Sequence, residues 1–501
     1  MRFPERSSGV LLHITSLPSR FGVGDLGPGA HRFADTVASA RQRFWQMLPV
    51  TPADAGSGFS PYSSPSAFAG APLFISPELI AEQGLLSKKD LADTPDFPIC
   101  RADFTAVSSW KTAIFHKAFA QFQKHVKQFA AEFDRFFEEN RSWLEDYAFF
   151  AALKSHFGGK SWIDWPADLR DRNPKNLEIA RGGLREHIEY EIFLQFLFSR
   201  QWNSLKSYCN AHDIRLIGDI PIYVNYDSAD VWSQPENYLL DSHKRPLRVA
   251  GVPPDYFSKT GQRWGNPIYD WNAMKADGFT WWLRRFRRIL SMFDLVRIDH
   301  FRGLIAYWSI PAAESTAENG EWTEAPANNF MRTVARNFPS LPFIAEDLGT
   351  ITADVREILT NFDLPGVKVL QFAFGDDVAR NAYAPHNIGE HCALYTGTHD
   401  NNTTSGWFAR ETSPEQRARL ELYIGNTLDV SSVHRYFLQL ALRSPSKLVI
   451  IPVQDIFGLG TEARMNTPGV AKGNWTWRMD TTDRSSDWAY LRSLTELFGR
   501  A

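Results

Sequence analysis

Short apolar runs that end in polar residues recur along the chain. Each run is near-continuous in apolar side chains, which is typical of parallel strands buried on both faces of a sheet. Eight such runs are present, and they lie at residues 9–15, 44–50, 214–224, 293–300, 342–348, 366–372, 392–400 and 447–456.

Segments with helical patterning separate several of these runs. ADVREILTNF follows the fifth run and SPEQRARLELYIG follows the seventh, and a residue suited to capping precedes or opens each. Eight strands with intervening helices favour a (β/α)8 TIM barrel over an open doubly wound sheet. The pattern therefore predicts an α/β protein in which residues 1–501 form one interrupted barrel.

The longest interval, residues 51–214, separates the second and third runs and far exceeds the length that a crossover needs. Apolar residues recur there at i, i+3, i+4 and i+7, which predicts a long amphipathic helix. Its apolar positions are Phe115, Phe119, Phe122, Val126, Phe129, Phe133 and Phe136. A second helix before the third strand is predicted by Ile188, Ile192, Phe193, Phe196 and Leu197. The interval is therefore predicted to be a mostly helical insertion subdomain.

Two shorter insertions are predicted after the third and fourth strands, at residues 225–292 and 303–327. Both are rich in loop-forming residues, and the first contains the Gly- and Pro-rich segment 251–271.

Composition narrows the class of protein. The hydrophobic fraction is 44%, the charged fraction is 22% and the formal net charge is −3, so there is no basic excess for binding nucleic acid. Cys100, Cys209 and Cys392 are too few and too scattered for a disulfide framework. The first residues lack the apolar core of a signal peptide, and no apolar run is long enough to cross a bilayer. We therefore expect a cytoplasmic protein with no membrane or nucleic-acid partner.

Polar side chains cluster where the predicted strands end. The active site of a (β/α)8 barrel lies at the carboxyl ends of its strands, so side chains from different strands should meet there. These residues are Asp219 after the third strand, Arg297, Asp299 and His300 after the fourth, Glu346 and Asp347 after the fifth, and His399 and Asp400 after the seventh.

The types of these residues suggest acid–base chemistry. Arg297 and Asp299 should share one face of a strand, and a nearby arginine lowers the pKa of a carboxylate, which keeps it ionised as a nucleophile. Glu346, beside other carboxylates, should hold its proton more readily and suits a general acid. One ionised and one protonatable carboxyl group about 5–5.5 Å apart is the arrangement used by retaining glycoside hydrolases.

Two other interpretations remain open from the residues alone. The charges could form a structural ion-pair network that closes the end of the barrel. Alternatively, His300, His399 and the aspartates could hold a metal ion, although the first strand offers only His13 and not the paired histidines of metal-dependent barrel hydrolases.

Several motifs make the interpretation more specific. GDIPIYV, LVRIDHFRG, IAEDLG and TGTHDNNT resemble the four signature regions of the amylase clan, in the form found in the 4-alpha-glucanotransferase (amylomaltase or disproportionating enzyme) family. SPYSSPSAFAG, GVPPDYFSKTGQRWGNPIYDW and VQDIFGLG extend the resemblance over most of the chain. Ala71 and Ser76 depart from it, since the family commonly has Asn and Asp at these positions.

The resemblance implies roles for individual residues. Asp299 matches the nucleophile of the family, Glu346 its general acid/base and Asp400 the carboxylate that stabilises the transition state. The implied substrate-binding residues are Tyr62, Asp219, Arg297 and His399, and His300 is a further candidate. The implied reaction is transfer of a segment of an α-1,4-glucan to the 4-hydroxyl of another glucan or of glucose, and it needs neither a cofactor nor a metal.

The segment 251–271 bears on whether sugar or water accepts the glucan segment. Tyr256, Phe257 and Trp264 could cover the cleft, stack on sugar rings and exclude water, or could merely pin the loop to the barrel. A glucan hydrolase would use the same three carboxylates, and a non-catalytic maltooligosaccharide-binding protein would be expected to have lost one. The resemblance favours the transferase.

Overall fold

The computed structural model describes residues 6–254 and 258–501. Its strands, in chain order, are β1 (Ser7–Leu11), β2 (Phe44–Gln46), β3 (Arg215–Ile220), β4 (Arg248–Val252), β5 (Gln262–Pro267), β6 (Leu295–Ile298), β7 (Ala306–Pro311), β8 (Glu321–Glu324), β9 (Phe343–Ala345), β10 (Gly366–Val369), β11 (Cys392–Tyr395) and β12 (Leu448–Pro452).

Eight of these strands form a closed parallel barrel, in the order β1, β2, β3, β6, β9, β10, β11 and β12. Each strand pairs with the next one of this series, and β12 returns to pair with β1 from Ser7↔Leu448 to Leu11↔Pro452. The eight apolar runs each contribute one barrel strand, which confirms the (β/α)8 fold. All residues of β1, β6 and β12 are buried, as expected for strands covered on both faces.

Helices lie between and around the strands. In chain order they are α1 (Pro28–Ser39), α2 (Pro77–Glu82), α3 (Lys88–Ala92), α4 (Phe104–His156), α5 (Ala167–Arg170), α6 (Pro174–Gly183), α7 (Arg185–Ala211), α8 (Ala229–Ser233), α9 (Trp271–Ala276), α10 (Thr280–Met292), α11 (Ala327–Asn337), α12 (Ala353–Asn361), α13 (Thr404–Arg410), α14 (Pro414–Ile424), α15 (Val433–Arg443), α16 (Val453–Ile456) and α17 (Ser485–Leu497).

The predicted helices after the fifth and seventh barrel strands are α12 and α14. Ser413 caps α14, because its side chain accepts a hydrogen bond from the backbone N–H of Gln416. The side chain of Gln416 in turn accepts a hydrogen bond from the backbone N–H of Ser413. Gly425 ends the helix in the left-handed conformation, with φ of 77°.

The long insertion between β2 and β3 is helical, as predicted, and α2 to α7 lie within it. Its core forms where α4 packs against α7, with Phe122 and Phe193 ring centroids 4.8 Å apart. Val126 is an exception to the predicted apolar face, since it is 43% exposed. The reason lies one residue earlier, where His125 leaves helical geometry at φ of −115° and ψ of 16° and shifts the phase of the helix.

The two shorter insertions contain strands that the sequence pattern did not reveal. β4 and β5 lie in the first and β7 and β8 in the second, and together they form a four-stranded antiparallel sheet in the order β5-β4-β7-β8. One face is covered by a small apolar cluster of Val249, Ile310 and Ala317. Sequences such as QRWGNP and EWTE lack apolar alternation, because most of their residues are exposed or half-buried.

Within residues 6–254 and 258–501, no helix combines the length and apolar character needed to cross a membrane.

Candidate active site

The predicted carboxyl groups of the fourth and fifth barrel strands come together just beyond the strand ends. The backbone N–H of Asp299 donates to the carbonyl of Ile220 at 3.0 Å, and that of Glu346 donates to the carbonyl of Ile298 at 3.0 Å. These bonds continue the pairing of β3 with β6 and of β6 with β9. Parallel pairing thus places both carboxyl groups at the same end of the barrel.

Arg297 connects two of the carboxylates. Its Nη1 lies 2.7 Å from Asp219 Oδ2, and its Nη2 lies 3.0 Å from Asp299 Oδ1. Burial disfavours the charge of Arg297, but the carboxylates of Asp219 and Asp299 outweigh burial and raise the pKa of the guanidinium. Arg297 and Asp299 are therefore paired as the alternation along the strand predicts.

Glu346 is buried, with only 8% of its surface exposed. Its Oε2 accepts a hydrogen bond from the backbone N–H of His300 and its Oε1 accepts one from that of Leu348, both at 2.7 Å. Burial raises the pKa of Glu346 to about 7; Arg297 and the two backbone bonds oppose this shift, whereas the charge of Asp299 adds to it. Glu346 can therefore hold or release a proton near neutral pH.

The backbone at His300 produces one of these contacts. His300 is left-handed, with φ of 48° and ψ of 49°, a conformation that costs energy for a residue other than glycine. This turn directs its N–H at Glu346. Burial lowers the pKa of the His300 imidazole to about 4, so the ring is neutral at pH 7.

Tyr62 and Asp219 form the neighbouring wall. The Tyr62 hydroxyl donates to Asp219 Oδ2 at 2.9 Å, and the Tyr62 ring stacks on His399 with centroids 5.1 Å apart. Burial raises the pKa of Asp219, while Arg297 opposes that rise. Trp475, which the sequence analysis did not single out, lies 5.9 Å from Tyr62 and 6.0 Å from His399 between ring centroids.

Asp400 follows β11 and is the most exposed of the three candidate catalytic carboxylates, with 43% of its side chain accessible. Its Oδ2 lies 3.4 Å from His399 Nε2, and its Oδ1 accepts a hydrogen bond from Asn466 Nδ2 at 2.6 Å. Arg464 donates to the backbone carbonyl of Asp400 at 2.8 Å. Sequence reasoning missed Arg464 and Asn466, because they lie in an irregular segment without a strand or helix pattern.

Asp347 and His13 also lie near the strand ends, in surroundings of their own. Asp347 Oδ1 accepts from the backbone N–H of Val367 at 2.7 Å and so joins β9 to β10. A Cβ at Gly366 would lie 2.6 Å from that carboxylate, so a glycine is needed there. His13 is buried, and burial lowers the pKa of its ring to about 3. In the described part of the chain, no group of three or more His, Cys, Asp or Glu residues is arranged to hold a metal ion.

Of the three aromatic residues predicted to cover the cleft, the structure describes Trp264. The residue is 38% exposed, and its ring meets the His300 ring edge-on, with centroids 5.0 Å apart. Tyr256 and Phe257 lie outside the described residues.

The arrangement combines three chemically different carboxyl groups. Asp299 is ion-paired and 27% exposed, Glu346 is buried and able to hold a proton, and Asp400 is open to the cleft. An ion-paired carboxyl group near a buried one that can hold a proton suits the cleavage of a glycosidic bond by double displacement.

Comparison with known proteins finds relatives over nearly the whole chain. The family model of glycoside hydrolase family 77, described as 4-alpha-glucanotransferase, matches residues 12–483. A 4-alpha-glucanotransferase from Synechocystis sp. is 46% identical over 502 residues, with 99% of this chain and 98% of the relative covered. A 4-alpha-glucanotransferase from Thermus thermophilus is 45% identical over 499 residues, with 98% of each chain covered.

A solved structure, the amylomaltase from Streptococcus agalactiae in complex with acarbose, has a TM-score of 0.95 and 37% identity. The match covers 99% of this chain and 100% of that chain. The barrel, its helical insertion and the family match over nearly the whole length lead to one conclusion. The chain belongs to the 4-alpha-glucanotransferase family, glycoside hydrolase family 77.

Proposed function

We propose that this 4-alpha-glucanotransferase works by double displacement, with Asp299 as nucleophile and Glu346 as general acid and base. Glu346 protonates the glycosidic oxygen of an α-1,4-glucan while Asp299 attacks the anomeric carbon. The bond to the leaving glucan breaks as the bond to Asp299 forms. Glu346 then removes the proton from the 4-hydroxyl of an acceptor, whose oxygen displaces Asp299. Two inversions give net retention.

The observation that carries this assignment is the contrast between Glu346 and Asp299. Burial raises the pKa of Glu346 to about 7, so the group can donate a proton and take one back near neutrality. Asp299 is ion-paired with Arg297, whose Nη2 lies 3.0 Å from Asp299 Oδ1 and holds the carboxyl group in place. The two carboxyl groups follow neighbouring strands, β6 and β9, which supports their action on the same bond.

The remaining polar residues support a sugar-binding role. Asp400 can accept hydrogen bonds from sugar hydroxyls, and we assign it to stabilisation of the flattened, positively charged ring of the transition state. We assign His399 to the donation of a hydrogen bond to a sugar hydroxyl, and His300 is a further candidate for the same role. Tyr62 presents a ring for stacking, and Asp219 and Arg297 hold the wall beside it.

Transfer instead of hydrolysis requires that water be kept from the glycosyl-enzyme. Trp264, next to His300 and partly exposed, supports a covering role for its loop, and we assign Tyr256 and Phe257 of the same loop to acceptor binding.

The partners would be α-1,4-glucan donors with maltooligosaccharide or glucose acceptors. The thiols of Cys100, Cys209 and Cys392 are free, which agrees with a place in the cytoplasm.

Incubation with maltotriose tests the function. A transferase yields oligomers longer than maltotriose together with glucose, because one molecule is the donor and another the acceptor. A product mixture containing only shorter sugars would instead identify a glucan hydrolase, and saturable binding without turnover would identify a binding protein.

Replacement of the nucleophile tests the mechanism. Asp299→Asn should leave maltotriose binding largely intact and abolish turnover, because the amide cannot form the glycosyl ester. Binding can be measured by calorimetry and turnover by product analysis on the same preparation. Transfer activity near that of the wild type would overturn the assignment of Asp299.

A further inference from the structure

The two oxygens of the Asp400 carboxylate are held to different degrees. Asn466 donates to Oδ1 at 2.6 Å, whereas Oδ2 has His399 Nε2 at 3.4 Å. Because 43% of the side chain is exposed, the carboxylate could rotate freely without such contacts. The short bond from Asn466 restricts this rotation.

Asn466 is itself fixed to the strand end that carries Asp400. Its backbone N–H donates to the carbonyl of His399 at 3.1 Å. Arg464 Nε donates to the carbonyl of Asn466 at 2.7 Å, and Arg464 Nη2 donates to the carbonyl of Asp400 at 2.8 Å. The amide is thus presented to Asp400 from a clamped backbone, although the two residues are 66 positions apart in sequence.

The chemistry of the donor matters as much as its position. A carboxamide is neutral, so it orients a carboxylate and leaves its negative charge intact. A lysine or arginine side chain would instead offset that charge. An oriented anion stabilises positive charge that develops in a transition state, and it needs no rearrangement at the moment of reaction.

We propose that Asn466 is a positioning residue, whose side-chain amide fixes the Asp400 carboxylate so that Oδ2 faces the reacting sugar. The inference rests on the role of Asp400 in the proposed function. Asn466 acts through Asp400, so its removal lowers the rate of the chemical step more than it weakens substrate binding.

The test begins with Asn466→Ala. A hydrogen bond to a charged group contributes roughly 1.5–3 kcal/mol, so kcat for maltotriose should fall on the order of 10- to 100-fold if the bond acts in the transition state. KM should change far less. Asn466→Asp, which keeps the size of the side chain but removes the donor, should lose kcat at least as strongly. Wild-type kcat in both variants would overturn the proposal.

Asn474→Ala is the matched control for order in this segment. Asn474 accepts from the backbone N–H of Thr467 and donates to the carbonyl of Val470, so its loss loosens the segment while the bond between Asn466 and Asp400 remains. We expect a much smaller fall in kcat than for Asn466→Ala. An equal fall would show that order of the segment matters and not the amide, and the proposal would fail.

A double-mutant cycle separates this proposal from the proposed function. In the Asp400→Asn background, Asn466→Ala should have little further effect on kcat, because the group it positions is gone. Additive losses would overturn the positioning role alone. Wild-type activity of Asp400→Asn would overturn the role of Asp400 itself, and the role of Asn466 with it.

Discussion

Glu346 determines the pH dependence expected of the reaction. It must be protonated to act as the acid in the first step, and burial raises its pKa to about 7. We therefore expect kcat/KM for maltotriose to fall as pH rises, with an alkaline limb near pH 7. Initial rates measured from pH 5 to 9 check this, and a profile that stays flat above pH 7 contradicts it.

The same shift predicts how stability depends on pH. The pKa of Glu346 is about 7 in the folded protein against 4.5 as the ordinary value, so the folded state holds the proton more tightly than the unfolded state. This contribution to stability is fully present below pH 4.5 and is lost as pH rises through 7. The loss is on the order of 3–4 kcal/mol, since one pKa unit corresponds to about 1.4 kcal/mol.

Glu346→Gln should remove that dependence, because glutamine does not titrate. We therefore compare the unfolding free energy of the variant with that of the wild type at each pH. The variant should be more stable relative to the wild type at pH 8 than at pH 5. A comparison between two pH values cancels any constant penalty of placing the amide beside the N–H groups of His300 and Leu348. Urea unfolding at both pH values is the measurement, and an unchanged difference between them would argue against the shift.

At the scale of elements, the contact between α4 and α7 stabilises the helical insertion. Phe196 of α7 is 1% exposed, and its ring lies 5.3 Å from that of Phe133 and 5.7 Å from that of Phe136 between centroids. Both partners belong to α4, so the contact between α4 and α7 lies within the insertion and apart from the residues at the barrel rim.

Phe196→Ala should lower the unfolding free energy by about 3–5 kcal/mol, because it removes a large buried side chain and leaves a cavity. Transfer activity at low temperature should be retained, since the catalytic carboxylates lie on barrel strands. Phe196→Leu is the matched control and should lose less stability. Thermal unfolding and maltotriose turnover together test this, and loss of activity without loss of stability would contradict it.

At the scale of the whole molecule, the barrel closes where its first and last strands pair. Arg500 is fully buried beside this closure. Its guanidinium donates to the carbonyls of Leu442 at 2.6 Å, Ser444 at 2.8 Å and Ser7 at 3.1 Å. One side chain thus joins the residue that begins β1 to the C-terminal end of α15 and to Ser444, which follows it.

Arg500→Ala should reduce the unfolding free energy by on the order of 2–3 kcal/mol, because buried carbonyl groups lose their donor. Arg492→Ala is the control, since Arg492 is 47% exposed and forms a surface ion pair with Glu496 that should contribute about 0–1 kcal/mol. Urea unfolding of the two variants checks the difference. Equal losses of unfolding free energy would show that the buried hydrogen bonds of Arg500 contribute no more to stability than the surface ion pair of Arg492.

The barrel and the types of residue at its rim are predictable from the order of amino acids alone. The barrel strands are largely buried on both faces, so their apolar runs are visible locally, and Asp299, Glu346 and Asp400 lie at the ends of such runs. The helical insertion was likewise visible, because a face buried against another helix imposes its own period, apart from the break at His125.

The remaining features depend on contacts between distant parts of the chain. The four-stranded sheet was hidden in part because its edge strands, β5 and β8, bury few side chains. Asn466 and Trp475 reach the site from a distant irregular segment, and no local pattern reports a contact made across the fold. The ability of Glu346 to hold a proton near pH 7 arises chiefly from burial, which is a property of the whole surrounding structure and not of the residue type.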